Sequence, residues 1–87
     1  MNTKLIKQCD IVKIVGVNRE FSQNECIPGT TTPKIGDVAT VLEIYHNPML
    51  GYELEACKDG ETLWLASIDP GDLDMEKIGN LLTDKGV

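Results

Sequence analysis

The sequence predicts a small, mainly β domain of four or five antiparallel strands, and three observations carry that reading. Apolar residues recur in short β-branched or alternating runs, the pattern of strands that bury one face. The runs are separated by Gly, Pro, Asn and Asp combinations that favour turns. The chain has 87 residues, enough for one core only, since a domain of this size buries about two-thirds of the surface of its unfolded chain. Residues 1–87 are therefore expected to form a single domain. With 41% hydrophobic and 25% charged residues, the chain has enough large aliphatics to fold rather than remain disordered.

The first strand is read over Gln8–Val15, where Ile11, Val12, Ile14 and Val15 surround Lys13. From Gly16 to Gly36 the chain turns polar and contains Pro28-Gly29, a threonine run and Pro33, so it reads as one long loop with at most a short edge segment at Phe21. Asp37–His46 (DVATVLEIYH) is the second strand, ended by Asn47-Pro48. In the third, Tyr52, Leu54 and Ala56 alternate with Glu53, Glu55 and Cys57, which puts the first set in the core and the acids in water. Lys58-Asp59-Gly60-Glu61 is a tight hairpin, and Thr62–Ile68 (TLWLASI) is a fourth strand apolar on both faces. After the turn Asp69-Pro70-Gly71, a short C-terminal helix over about residues 74–84 is expected. Asp72 or Asp74 would cap it, Met75, Ile78 and Leu82 would form its apolar stripe, and Gly86 would end it.

Composition narrows the function classes. The net charge of −6 is uneven: residues 1–36 hold five Lys or Arg against three acids, residues 37–87 three against eleven. An acidic body repels polyanions, so nucleic acid is an unlikely partner unless Lys4, Lys7, Lys13, Arg19 and Lys34 converge on one face. No apolar run approaches the roughly 18–20 residues that span a bilayer, and the opening MNTKLIKQCD meets a charge before any leader core forms. Cys9, Cys26 and Cys57 are odd in number and unpaired in spacing, as expected of free thiols in the cytoplasm, with Cys9 and Cys57 acting as small, partly buried hydrophobes. Neither a membrane association nor a cofactor is expected.

Chemistry has little to work with. His46 is the single imidazole, and a nucleophile needs a base and a stabiliser within reach. Cys9, Cys26, His46 and Cys57 lack the close paired spacing of structural zinc ligands. A calcium loop begun at Asp72 would require Gly and Glu where Lys77 and Thr83 stand. No catalytic or metal site follows, and the chain is read as a non-enzyme. Trp64 either packs beneath the C-terminal helix with Ile68 or stands exposed as an interface anchor.

Four stretches, Asp10-Ile11-Val12, Gly36-Asp37-Val38-Ala39-Thr40-Val41, Tyr52-Glu53-Leu54-Glu55-Ala56 and Asp59-Gly60-Glu61-Thr62, resemble an uncharacterised bacterial family of small SH3-like domains. That family shows D-V-V, G-D-x-G-T-V, Y-x-V-E-F and D-G-x-T at the corresponding places. The likeness runs from about Cys9 to Leu73 and implies an SH3-like barrel. Ala39 stands for the usual Gly and Ala56 for the usual Phe, the latter leaving volume for Trp64 or the helix to fill. The function expected is non-catalytic binding of a protein partner, in the manner of an immunity protein, antitoxin or accessory subunit. Arg19 and Phe21 of the long loop, the acids Glu53, Glu55, Asp69 and Asp72, and Trp64 are the residues assigned to the contact. The alternatives are a nucleic-acid-associated barrel with a basic loop and a ligand-binding or enzyme-accessory barrel.

Overall fold

The computed structural model describes residues 6–82. Five strands run β1 Asp10–Val17, β2 Val38–Tyr45, β3 Gly51–Lys58, β4 Glu61–Ile68 and β5 Leu73–Asn80. All neighbours are antiparallel in one sheet of order β4-β3-β2-β1-β5. The pairing does not close on itself, so β4 and β5 form the two edges.

Alternation works as the sequence leads one to expect. Val12 and Ile14, Ala39 and Val41, Tyr52, Leu54 and Ala56, and Trp64, Ala66 and Ile68 all point into one core. Burying each large member contributes about 1.5–3 kcal/mol. Register explains the two alanines. Ala39 lies opposite Ala56, and Ala56 opposite Trp64, so two small side chains sit in the same cross-strand row as a wholly buried indole. Both residues of the β3–β4 turn, Asp59 and Gly60, have positive φ (55° and 83°), the backbone that a two-residue hairpin with the right twist demands.

In β2 the register slips between Val41 and Glu43, and the extra residue, Leu42, bends the strand. Ala39 and Thr40 pair with both β1 and β3, while Glu43–Tyr45 continue with β3 alone.

The expected C-terminal helix is not formed. Residues 73–80 are β5, paired along β1 from Leu73↔Val17 to Asn80↔Asp10; the part of the expectation at residues 83, 84 and 86 lies outside the described residues. Met75, Ile78 and Leu82 do share a helical stripe in sequence, but Leu73 and Met75 are buried whereas Asp74 and Glu76 are exposed, which is period two. Pairing with β1 buries Leu73 and Met75 and covers the side of β1 that β2 does not, whereas Gly79 weakens a helix. The sole helical segment among the described residues is one 3-10 turn, Gln23–Cys26.

The long loop is shorter than read, because β1 runs on to Val17, and no edge strand forms at Phe21. It is fastened at several points. Asn18 N–H donates to Asp72 O (2.9 Å), Thr30 and Thr31 N–H to Leu63 O (2.9 and 3.0 Å), and Gly36 N–H to Ile14 O (2.8 Å). The fastening at β4 needs Gly29: with φ +146°, a Cβ there would lie 2.5 Å from Leu63 O and 2.7 Å from Trp64 Cα.

At the opposite side, Asp10 joins the beginning of β1 to the end of β5. Its carboxylate is wholly buried and accepts from Asn80 Nδ2 (2.7 Å) and Lys7 N–H (2.7 Å), with Lys77 Nζ at 3.3 Å. Burial alone would raise its pKa, but the bonds from Asn80, Lys7 and Lys77 outweigh that and hold it below the usual carboxylate value.

Candidate docking surface

The acids assigned to the contact do not form one continuous face. Glu53 and Glu55 lie on the outer side of β3, with Glu43 of β2 directly opposite Glu53. Two like charges facing each other across a strand pair repel, so Glu43, Glu53 and Glu55 make a negative stripe held at some cost by the sheet. Tyr45 Oη donates to Glu53 Oε1 (2.6 Å) and Thr62 Oγ1 to Glu55 Oε2 (2.7 Å). The bond to Glu53, together with burial and the charges of Glu53 and Glu43, pushes the Tyr45 phenol up from its ordinary pKa.

Asp72 belongs to a different cluster. Arg19 Nε lies 3.1 Å from Asp72 Oδ2, its Nη2 2.9 Å from Glu25 Oε1, and Nη1 donates to Glu20 O (2.8 Å). The guanidinium stacks over Phe21, 3.8 Å from the ring centre. Arg19, together with the Ser22 N–H, lowers the Glu25 pKa to about 2, and Glu25 and Asp72 in turn raise that of Arg19. Asp72 also accepts from Asp69 N–H (2.9 Å). Arg19, Phe21 and Asp72 thus pin the loop to the β4–β5 turn, with their polar groups largely committed inside the chain.

Trp64 is not a surface anchor: it is 0% exposed, and its Nε1 donates to Asp37 Oδ2 (2.7 Å). No helix covers it; residues of the long loop lie over its backbone instead. The basic residues are differently engaged, with Lys7 and Lys34 exposed. Arg19 is engaged as above, Lys77 faces Asp10, Lys13 stands opposite Glu76, and Lys4 lies outside the described residues. Cys26 is buried, and burial raises its thiol pKa; Cys57, expected to be partly buried, is exposed. Among the described residues, no three His, Cys, Asp or Glu side chains gather in a way that would hold a metal ion, and no helix is long and apolar enough to cross a membrane.

What sequence reasoning missed lies at one end of the negative stripe. The β2–β3 connection and the end of β4 enclose an open pocket of about 290 Å³, lined by Tyr45, Asn47–Tyr52 and Ser67–Asp69. Met49 is 70% exposed, Tyr45 42% and Leu50 39%. Glu53 reaches the rim through Tyr45 and lies opposite Ser67, and Asp69 is part of the wall. Two of the four assigned acids therefore converge on the pocket. The available signal was Met49-Leu50, an apolar pair inside a turn otherwise marked by Asn47-Pro48 and Gly51.

No family model, curated protein or solved structure matches the chain.

Proposed function

We propose that this chain is a non-catalytic, SH3-like protein-binding module that docks on a basic stretch of a partner polypeptide through the outer face of β2–β4. The observation that carries the reading is the placement of an exposed apolar pocket at the end of the Glu43–Glu53–Glu55 stripe. Apolar anchors bordered by one sign of charge combine desolvation with steering, the usual division of labour at a protein interface. A basic partner would also relieve the repulsion between Glu43 and Glu53. The SH3-like assignment draws support from the sheet order β4-β3-β2-β1-β5, the long loop after the first strand and the bend in β2.

The long loop has a smaller part in this reading than the sequence suggests, since Arg19 and Asp72 are occupied with each other. The test is co-purification from the native lysate at low salt. A stoichiometric partner retained by the wild-type chain and lost both in the Glu43→Lys/Glu53→Lys variant and in about 0.5 M salt is the expected result. Retention indifferent to charge reversal and to salt, or no stoichiometric partner at all, overturns it.

A further inference from the structure

We propose that the pocket beside Tyr45 receives a single lysine or arginine side chain of the docked polypeptide. This rests on the docking function proposed above and adds the chemistry of the anchor. Size comes first. About 290 Å³ lies just below the range of roughly 300–1,000 Å³ that holds small-molecule ligands, and it suits one long side chain. Charge decides which. Among the described residues Asp69 is the only charged one in the lining and its carboxylate has no hydrogen-bond or ion-pair partner, and Glu53 and Glu43 stand behind Tyr45. An apolar anchor seated here would strip water from Asp69 and return nothing, a net cost. A cation removes that cost.

The walls fit the rest of such a side chain. Met49, Leu50 and Pro48 give apolar surface for a methylene stem. The half-exposed ring of Tyr45 offers a π face to an ammonium or guanidinium, and its hydroxyl, already donating to Glu53, makes the ring more electron-rich. Ser67 opposite Glu53 is small, so a neighbouring basic residue of the same segment can reach the stripe.

The experiment titrates the full chain, labelled with nitrogen-15, with N-acetyl-arginine methylamide, N-acetyl-lysine methylamide and N-acetyl-leucine methylamide, following the amides of Met49, Leu50, Gly51, Ser67 and Asp69. The arginine or lysine probe is expected to shift these amides in the millimolar range and the leucine probe far less. Asp69→Asn, which keeps the backbone bonds of its turn, should weaken the cationic probe about threefold. Leucine shifts equal to or larger than those of both cations overturn the inference in favour of an apolar anchor while the docking function stands. The same holds if only an oligolysine peptide binds, moving Glu43, Glu53 and Glu55 and leaving the pocket amides still. Shifts that grow with protein concentration and no probe identify a second copy as the occupant and also overturn it. If neither probes nor oligolysine bind, both the inference and the docking function fall.

Discussion

Asp10 and Arg19 each tie a peripheral segment to the sheet with charges, yet they are built on opposite principles. Asp10 is sealed from water and held by Asn80, the Lys7 N–H and Lys77. Arg19 and Glu25 lie about a third exposed, in a larger set of ion pairs that includes Asp72. A count of bonds would rank the second cluster as the stronger. Solvent reverses that order, because an exposed pair competes with water and salt, whereas removing one partner of a buried charge strands polar groups that have no substitute. The difference teaches that the start of β1 and the end of β5 are joined through one indispensable carboxylate, and the long loop is held by many replaceable contacts.

The sharpest way to break the comparison is Asp10→Ala. It removes the acceptor of the Lys7 N–H and the shorter of two acceptors of the Asn80 amide, which keeps Gln8 O at 3.4 Å, and a loss of about 3 kcal/mol is expected in urea denaturation, enough to lower the melting temperature by well over ~10 °C. Acid titration sharpens the same point. The folded-state pKa of Asp10 is depressed, so its contribution is fully present above the unfolded value of about 3.9 and fades as pH falls through the folded value. In that window the unfolded chain binds more protons. The stability gap between wild type and Asp10→Asn should therefore be widest near neutrality and close in acid. Glu25 has the same sign, with its window running down to about 2.

Next in size is Gly29→Ala. It drives a methyl group against Leu63 O and Trp64 Cα in a backbone region that side chains avoid, and should cost roughly 2 kcal/mol. Hydrogen exchange at Thr30 and Thr31 should rise if the loop lifts from β4. Smallest is Arg19→Ala, expected to cost no more than about 1 kcal/mol by the same denaturation. A loss as large as that of Asp10→Ala would show that the loop, too, hangs on a single residue.

Much of the sheet was legible in the sequence because burial on one face imposes period two locally, as in Tyr52, Leu54 and Ala56. β5 was not legible for the same physical reason that makes short runs ambiguous. Its register shifts twice against β1, and the outward Ile78 near one of these shifts breaks the alternation and completes a false helical stripe with Met75 and Leu82. The acids of the stripe and Asp69 were readable as exposed charges. Their convergence with Met49 and Leu50 was not, since it depends on β4 ending beside the β2–β3 turn, a fact of register rather than of composition. Asp10 and Asn80 are 70 positions apart, and no local pattern marks them as partners.

One consequence concerns the route by which the molecule assembles. Because Leu81 N–H donates to Cys9 O and β1 pairs with β5, the first and last strands meet across the whole intervening polymer, and bringing them together carries the entropy of a long ring closure. Splicing the two tails through a flexible linker and opening the backbone at Asp59-Gly60 would convert the most distant pairing into a neighbouring one. Such a rearranged polypeptide should reach the same architecture faster, with Asp10 and Asn80 now facing each other across a short tether.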